Sequence, residues 1–424
     1  MHTIRTSSLL LVSAALASCS PPTDAIVATA YTGATVWDGS GTPARPGTTL
    51  LVSDGRVLAL VPDGEIPDGV DVVEEVDLAG RHVTPGFVNA HGHVSGLWAD
   101  DSVADPADRV RADLALYASY GVTTVNSLGD DATVLAVRDQ ASDGDPHARF
   151  LAAGPVIADS EPAAARATAT ANADAGVDWL KLRVDDNLGT TTKMPWDAVA
   201  AVMEVGAERG LPVATHVFYL EDANRLLDMG SAMIAHSVRD TAVDEAFTAR
   251  LRESGVCYVP TLTREVSTFV YADRPDFFDD PFFTARAHPD QLARASDPAF
   301  MRRMAESPAA AGYRVALQWA MENLKTLSDA GIPVAMGTDS GPAARFPGYF
   351  EHLELWMMVD AGLTPAQALA SATSAAAACI GRDDVGALRP GAWADFLVFG
   401  ADPLDDIRST ATLQRVYVAG RPID

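Results

Sequence analysis

Two histidines separated by a single glycine, His91 and His93, end the apolar stretch Arg81 to Ser95. In a β-strand, residues i and i+2 point to the same face, so one strand would present both imidazoles side by side. Neutral imidazole is a common ligand for Zn²⁺. The pair is a weak signal alone, because 9 histidines in 424 positions give roughly 0.2 such pairs by chance, and short motifs carry that risk.

Further ionisable residues lie where other apolar strands are predicted to end. They are Lys181 in VDWLKLRVDD, His216 in PVATHVF, His236 in AMIAHSV and Asp339 in VAMGTDSG. Imidazoles and carboxylates bind metal ions, and a carboxylate also transfers protons as a general base or acid. Such chemistry needs no serine or cysteine nucleophile. The residue types therefore predict a metal-dependent site, provided that the fold brings these side chains together.

Alternating strands and helices must position these residues. Candidate strands are His82–Ala90, Thr123–Ser127, Phe150–Val156, Trp179–Val184, Pro212–Thr215, Ala232–Ala235, Val256–Leu262 and Pro333–Gly337. The intervals carry helical patterns, such as Asp108–Ser119, Trp196–Arg209, Glu221–Met229, Val243–Ser254 and Ala311–Ala330. Eight βα units over about 250 residues are typical of an α/β fold of the (β/α)8 TIM-barrel type, whose chemistry lies at the carboxyl ends of the strands. A doubly wound parallel sheet is the alternative.

The two ends of the chain differ from this middle part. Short alternating strands occur before residue 85, with an Asp54-Gly55 turn signal between two apolar runs, and again after residue 388. Neither segment can bury a face alone, so we predict that they pair into a small discontinuous β-sandwich. The predicted boundaries are a signal segment at 1–18, a tether at 19–29, the sandwich at 30–84 and 389–424, and the barrel at 85–388.

This order of residues resembles the amidohydrolase superfamily of metal-dependent hydrolases. The likeness covers nearly the whole chain after the signal segment, including the terminal stretch GALRPGAWADFLVFGADPL. Within the superfamily, the chain is most similar to the imidazolonepropionase-like and prolidase-like members, which carry a lysine on strand four. The resemblance implies the barrel, the sandwich made from both termini, and the order of the metal ligands.

The resemblance also implies a binuclear metal centre. Lys181 would be N-carboxylated and would bridge two divalent cations, commonly Zn²⁺. The more buried ion would be held by His91, His93 and Asp339, and the more exposed ion by His216 and His236. Two adjacent dications repel each other, and a carbamate supplies a bridging anion where an ammonium would worsen the repulsion. A lysine that faces solvent or pairs with Asp185 is the alternative.

The activity that such a centre implies is hydrolysis. A hydroxide that bridges two metal ions is a nucleophile near neutral pH, and Asp339 would pass its proton to the leaving nitrogen as the catalytic base and acid. We predict cleavage of an amide-type C–N bond in a small-molecule substrate, a dipeptide or an N-acyl amino acid. The alternative is a cyclic amide, lactone or phosphotriester. Deamination is disfavoured, because superfamily deaminases usually use one metal ion and lack the bridging lysine. A catalytically silent binding protein is disfavoured because every ligand is present.

Three residues that follow strands five, six and seven could meet a substrate carboxylate, namely Tyr219, Arg239 and Arg264. Each arginine precedes an acidic residue, Asp240 or Glu265, that could take its charge instead.

Other histidines and one long connection have less specific interpretations. His352 could line the site, although packing or capping is the favoured role, and His82, His147 and His288 are expected to be structural or solvated. The segment from Thr263 to about Pro308 is long for a barrel connection and rich in aromatic residues. It is predicted to be either a lid with aromatic walls or a surface excursion packed for its own stability.

Composition limits the partners. The chain has 31 basic and 57 acidic residues, a formal net charge of −26, which would repel the phosphate backbone of a nucleic acid. With 48% hydrophobic residues, the chain can bury a large core. Relatives are often oligomeric, so the resemblance allows a homo-oligomer, but no apolar stripe identifies an interface.

The N-terminus predicts export. Arg5 precedes a short apolar run, Leu9–Ala17, that cannot span a bilayer. The sequence Leu16-Ala17-Ser18-Cys19 resembles a bacterial lipoprotein signal, which implies a lipid on Cys19, a membrane contact only through that anchor, and a location in the cell envelope outside the cytoplasm, in the periplasm or at the outer membrane. An ordinary cleaved signal peptide is the alternative. The two remaining cysteines, Cys257 and Cys379, are predicted to be buried thiols, since a disulfide is permitted but not indicated.

Overall fold

The computed structural model describes residues 25–142 and 144–423. The predicted signal segment and Cys19 therefore lie outside the described residues, as does most of the predicted tether. The strands are β1 Ile26–Val36, β2 Arg45–Ser53, β3 Arg56–Pro62, β4 Val70–Asp77, β5 His82–Pro85, β6 Phe87–Gly92, β7 Val122–Ser127, β8 Arg149–Ala152, β9 Leu180–Arg183, β10 Val213–His216, β11 Met233–Ala235, β12 Cys257–Val259, β13 Phe396–Phe399, β14 Leu413–Val418 and β15 Arg421–Ile423.

The helices alternate with the middle strands and follow them. They are α1 Pro106–Ser119, α2 Ala132–Gln140, α3 Pro162–Asp174, α4 Trp196–Arg209, α5 Leu220–Asp228, α6 Glu245–Ser254, α7 Leu262–Val266, α8 Pro281–Thr284, α9 Pro289–Ala295, α10 Pro298–Ala305, α11 Pro308–Asp329, α12 Tyr349–Asp360, α13 Pro365–Ser371 and α14 Ser374–Cys379, with short 3₁₀ helices at Val270–Ala272, Asp276–Asp279 and Ile407–Thr412. No helix in these described ranges is long and apolar enough to cross a membrane.

The middle of the chain forms the predicted TIM barrel. Strands β6-β7-β8 and β9-β10-β11-β12 pair in parallel in that order. The amide of Ile157, just after β8, donates to the carbonyl of Lys181 on β9 at 2.8 Å. On the other side, Ala335 N donates to Tyr258 O at 3.0 Å and Ala90 N donates to Met336 O at 2.8 Å. The segment around Val334 therefore lies between β12 and β6 as the eighth element of the ring.

The interior of the barrel is filled by small apolar side chains. Residues such as Val88, Ala90, Ala214, Ala235 and Ala335 are fully buried or nearly so and form one cluster. Parallel strands are covered on both faces, by the barrel interior and by the outer helices, which is why they read as continuous apolar runs in the sequence. The interior is thus a packed core, and polar side chains can gather only at its ends.

One predicted strand is divided in two. Residues 82–90 were predicted as a single first barrel strand, but β5 belongs to the terminal sheet and β6 to the barrel. Gly86 separates them and passes so close to β7 that a Cβ there would lie 2.2 Å from the side chain of Thr123. The chain changes sheets where only glycine fits. The predicted strand at Pro333–Gly337 is reduced to a single β-bridge at Val334.

The two ends of the chain join in one eight-stranded sheet. Its order is β15-β14-β13-β5-β1-β2-β3, with β4 parallel to the first part of β1, before the residues of β1 that pair with β5. The N-terminal β5 and the C-terminal β13 are antiparallel neighbours, with Phe396 opposite Pro85. In its core the rings of Phe396 and Tyr417 stack at 4.2 Å between centroids, and Tyr31 meets both edge-on at 4.8 and 5.1 Å. Pairing of the termini is confirmed, and β1 begins at Ile26, before the predicted boundary at residue 30.

The prediction that the two described cysteines are buried thiols was wrong. Cys257, which opens β12, and Cys379, which ends α14, form a disulfide with a Cα–Cα distance of 5.5 Å. Helix α14 packs its alanines against the interior cluster of the barrel, and this brings its last residue to the start of β12. The 122-residue separation hid this proximity from the sequence.

The long connection after β12 is ordered and helical. It contains α7 to α10, and its aromatic rings pack against one another and against the start of α12, with Phe283 4.9 Å from both Phe346 and Tyr349 between ring centroids. These rings do not line the pocket described below, so the expectation of aromatic lid walls was wrong. The alternative, an excursion packed for its own stability, agrees with these contacts.

Candidate metal centre and substrate pocket

The six residues predicted to do chemistry come together. A cavity of about 500 Å³ opens at the carboxyl ends of the barrel strands and is lined by His91, His93, Lys181, His216, His236 and Asp339. Each comes from the end of a different barrel element, apart from the two histidines that β6 supplies. This is the end at which TIM barrels place their chemistry.

Asp339 faces the two histidines of the first barrel strand. Its Oδ1 lies 2.7 Å from Nε2 of His93 and 3.5 Å from Nε2 of His91. Asp339 has a left-handed backbone, with φ of 56°, and follows the short eighth element. Burial disfavours its charge, but the guanidinium of Arg345 and the imidazole of His93 outweigh burial and hold the pKa of Asp339 well below its usual range. The carboxylate is therefore anionic and available as a ligand.

His216 and His236 form the second pair. Nδ1 of His216 lies 3.0 Å from Nε2 of His236, and the latter is 4.0 Å from Oδ2 of Asp339. The second nitrogen of each ring contacts another side chain of the protein. Nε2 of His216 lies 2.9 Å from Oδ2 of Asp185, and Nδ1 of His236 lies 2.6 Å from the hydroxyl of Thr261. Such partners orient metal-binding imidazoles and select the tautomer. Each ring therefore turns one nitrogen towards the cavity.

Lys181 is buried between these groups. Its side chain lies on β9, it is 3% exposed, and its Nζ is 3.4 Å from Nε2 of His91. Burial lowers the pKa of Lys181 to about 7, although the negative charge of Asp339 acts in the opposite direction. The alternative in which Lys181 faces solvent or pairs with Asp185 does not agree with this arrangement, because Asp185 pairs with His216.

The donor set fits a divalent metal ion. Ligand atoms of His91, His236 and Asp339 all lie within 4.8 Å of one another. Burial lowers the pKa of His91 and His236 well below the usual range and that of His216 to about 3, so these imidazoles are neutral, the form that binds metal. Two nitrogens bound to one Zn²⁺ lie about 3 Å apart, close to the separation of His216 and His236. The triad of His91, His236 and Asp339 combines residues from both predicted ligand groups. The division of the ligands between two ions therefore stays a prediction.

Of the residues predicted to read the substrate, Arg264 lines the cavity. It also pairs with Glu265, as the sequence alternative suggested, at 3.0 Å. Arg239 was predicted to bind a substrate carboxylate or, alternatively, to pair with Asp240, and both predictions were wrong. Its side chain is fully buried, donates to the carbonyls of Val217 and Ser237, and lies 3.0 Å from Glu265.

Tyr219 and His352 do not line the cavity. The hydroxyl of Tyr219 donates to Asp186 at 2.8 Å. His352 is fully buried on α12, and its Nε2 lies 2.7 Å from the carbonyl oxygen of Tyr120. A substrate role for Tyr219 stays a prediction. Full burial argues against such a role for His352 and agrees with the packing role favoured for it.

Four further residues surround the site, and only Asp185 among them was named from the sequence, as a possible partner of Lys181. Asp185 and Thr261 hold the histidines, and Arg183 and Arg345 line the cavity. Asp185 and Arg183 follow Lys181 at the end of β9, so an ionisable cluster at a strand end was available as a signal. Thr261 and Arg345 lie in irregular segments and offered none.

Comparisons with known proteins agree with this fold. The pattern of the amidohydrolase family matches residues 82–423. The imidazolonepropionase of Streptomyces avermitilis is 26% identical over 380 residues, covering 83% of this chain and 80% of that protein.

Two solved structures superpose over nearly the whole chain. A putative prolidase from Bifidobacterium longum has a TM-score of 0.74 at 25% identity, with 94% of this chain and 95% of that chain covered. A Xaa-Pro dipeptidase with bound methionine in the active site has a TM-score of 0.73 at 20% identity, with 94% and 100% covered. Because the family pattern spans most of the sequence, this chain belongs to the amidohydrolase family and is a hydrolase of carbon–nitrogen bonds.

Proposed function

We propose that this protein is a binuclear metal-dependent hydrolase that cleaves the amide bond of a dipeptide or an N-acyl amino acid. The observation that carries the proposal is the convergence of four imidazoles, one carboxylate and one buried lysine on a single cavity that arginines also line. The imidazoles and the carboxylate suit a transition metal, and the arginines suit a substrate carboxylate.

The predicted ligands have the chemistry for two cations. His91, His93 and Asp339 would hold one ion and His216 and His236 the other, with Lys181 between them as its carbamate. A lysine with a pKa of about 7 is about half uncharged near neutral pH, and an uncharged amine is the form that reacts with carbon dioxide. When bound, the two ions supply an activated water and polarise the scissile carbonyl.

The remaining steps belong to the side chains of this chain. The Asp339 carboxylate accepts a proton from the attacking water and delivers it to the leaving nitrogen. Asp185 and Thr261 hold His216 and His236 in one tautomer, so the donors need no rearrangement during the reaction. Arg264, on the wall of the cavity, binds the carboxylate of the amino acid part.

The comparisons support amide hydrolysis and keep one alternative open. The similar structures include proteins described as a prolidase and a Xaa-Pro dipeptidase. The similar sequences include imidazolonepropionases, whose name refers to an imidazolone ring, which is a cyclic amide. Hydrolysis of a cyclic amide is therefore the second candidate.

The test is a substrate screen with zinc-loaded protein. Dipeptides, N-acyl amino acids, cyclic amides, lactones and a phosphotriester are compared by kcat/KM, and each N-acyl amino acid is paired with its C-terminal amide. We expect the fastest hydrolysis for linear amides that carry a free carboxylate, with much slower hydrolysis of the matched amides. Faster turnover of cyclic amides would favour the second candidate. Turnover confined to lactones or phosphotriesters would overturn the proposal.

We also propose that the enzyme is anchored outside the cytoplasm through a lipid on Cys19. The support is the Leu16–Cys19 sequence after a short apolar run. In a bacterial host, the full chain should carry a lipid on Cys19 and sediment with membranes, and the C19A variant should carry no lipid. A wild-type chain that is cleaved at the same site but found as a soluble protein would instead indicate an ordinary signal peptide.

A further inference from the structure

The pocket is positively charged in a strongly negative protein. The chain carries a formal net charge of −26, yet three arginines, Arg183, Arg264 and Arg345, line the cavity together with a single carboxylate, Asp339. The two expected dications together would add more positive charge than a lysine carbamate removes. A concave site with one sign of charge concentrates ligands of the opposite sign. The cavity therefore favours anionic substrates.

Arg264 and Arg345 lie on one wall and are connected through Ser267. The hydroxyl of Ser267 accepts from Nε of Arg345 at 3.1 Å and donates to the carbonyl of Arg264 at 2.6 Å. Arg345 also donates to Oδ2 of Asp339, the oxygen that does not face His93. Arg345 is thus adjacent to the group that protonates the leaving nitrogen.

The charge on this wall is only partly compensated. Glu265 is shared by two buried guanidinium groups, Arg239 and Arg264, each at 3.0 Å. The side chain of Arg264 is 7% exposed, and its Nε has no hydrogen-bond partner among the described residues. One carboxylate cannot neutralise two arginines, so the wall retains positive charge and a free donor.

Arg183 occupies the opposite wall. It follows Lys181 by two residues on β9, so both side chains point to the same face and both line the cavity. Because β9 is the fourth element of an eight-membered ring and the Asp339 segment ends the eighth, Arg183 and the segment that leads to Arg345 belong to opposite sides of the ring.

Arg183 also has spare donors. It donates to the neutral side-chain oxygen of Asn187. Asp185 is 3.8 Å away, but its two oxygens already accept from Nε2 of His216 and from the backbone amide of Asn187, each at 2.9 Å. Nε of Arg183 is buried and has no hydrogen-bond partner within the described ranges. The side chain is 37% exposed, so a ligand can reach its remaining donors.

We propose that the pocket selects substrates with two carboxylates, one on each side of the scissile amide. This inference rests on the proposed function. The leaving nitrogen must lie near Asp339, and the α-carboxylate is two bonds from that nitrogen, so it meets Arg345 and Arg264. The acyl part then extends towards Arg183, which binds a second carboxylate there. The substrate class is an N-acyl amino acid or dipeptide whose acyl part is acidic, such as a succinyl, aspartyl or glutamyl group.

The test compares N-succinyl-leucine with N-butanoyl-leucine, which have the same chain length and differ in the terminal carboxylate. With zinc-loaded wild-type protein, we expect kcat/KM for the succinyl compound to be about 10- to 100-fold higher, the range of one hydrogen bond to a charged group. In R183Q this ratio should fall to about 1, and R183K should keep part of it. R345Q should lower kcat/KM for both compounds and leave the ratio unchanged.

R166Q is the matched control. Arg166 is on α3 and pairs with Glu204 and Glu208 on the outside of the barrel, so R166Q removes the same charge away from the cavity. It should keep the wild-type ratio, and a ratio that falls equally in R166Q would show a general charge effect and overturn the inference. Equal or faster hydrolysis of the butanoyl compound by wild type would also overturn it while leaving the proposed function intact.

A binding measurement separates the two proposals. Calorimetry with both compounds and zinc-loaded R183Q or wild-type protein does not need turnover. If neither compound is hydrolysed, the proposed function fails. The two-carboxylate pocket would still be supported if wild type binds the succinyl compound more tightly and R183Q loses that preference. Equal binding of both compounds by wild type would reject it.

Discussion

Asp185 provides the sharpest test of how the protein orients its candidate metal ligands. Oδ2 of this carboxylate lies 2.9 Å from Nε2 of His216, and the side chain is 0% exposed. Oδ1 accepts from the backbone amide of Asn187, also at 2.9 Å. Burial opposes the charge, but the hydrogen bonds from His216 and Asn187 outweigh it and hold the pKa of Asp185 well below its usual range. Asp185 is therefore an anion with both oxygens in use.

The perturbation is D185N, which keeps the size and removes the charge. An asparagine has one acceptor oxygen for two donors, so either His216 or the Asn187 amide must face an NH₂ group. A hydrogen bond to a buried charged group contributes about 1.5–3 kcal/mol, and loss of a partner of this kind typically weakens metal binding about 10- to 100-fold. We expect the zinc dissociation constant of D185N to rise by that factor.

The assay is a competition titration of zinc between the apoprotein and a fluorescent chelator near pH 7.5. D186N is the matched control, because Asp186 is the next residue and accepts from the hydroxyl of Tyr219 instead of from a histidine. D186N should keep the wild-type affinity. The reasoning would be refuted if D185N bound zinc as tightly as wild type, or if D186N lost as much affinity.

Three further predictions concern the lysine, the disulfide and a buried carboxyl group. K181A should lose hydrolytic activity together with at least one equivalent of bound metal, measured by elemental analysis, and full activity in this variant would exclude a bridging role. Removing the disulfide in a C257A and C379A double variant should lower the free energy of unfolding by about 2–4 kcal/mol in denaturant titrations, because it opens a 122-residue loop, while metal content stays at the wild-type value. Burial raises the pKa of Glu354 from an ordinary 4.5 to about 7, so its contribution to stability is complete below about pH 4.5 and is lost as the pH rises through about 7. Between pH 5 and pH 8, the unfolding free energy of the apoprotein should therefore fall less in E354Q than in wild type, by about 1–3 kcal/mol. An identical fall in both proteins would contradict the raised pKa of Glu354.

The convergence of the candidate metal ligands could be predicted because buried parallel strands read as apolar runs in the sequence. Apolar runs ending in His216, His236 and the His91–His93 pair identify strand ends, and in a barrel all strand ends meet at one rim. The pairing of the chain termini followed from a similar argument about unburied faces. The first barrel strand was predicted correctly over the residues of β6. The change of sheet from β5 to β6 at Gly86 was missed, because it does not alter the apolar pattern of the sequence.

The contacts that depend on side-chain direction could not be predicted. Arg239 follows a strand end as Arg264 does, yet its guanidinium satisfies the carbonyls of Val217 and Ser237 inside the protein. Arg345 lies in an irregular loop and reaches Asp339 only because the loop folds back. Likewise, the partner of Cys257 depends on the position of α14 beneath the barrel.

The central claim is that six side chains from distant parts of the sequence hold divalent cations in one cavity. The most direct measurement is an anomalous difference map at the zinc absorption edge from crystals of the zinc-loaded protein. Two anomalous peaks are predicted, one within coordinating distance of His91, His93 and Asp339 and one beside His216 and His236. The ordinary electron-density map should show a carbamate between them at the end of the Lys181 side chain. A map with no peak among these residues, or with zinc bound only elsewhere on the protein, would contradict the claim.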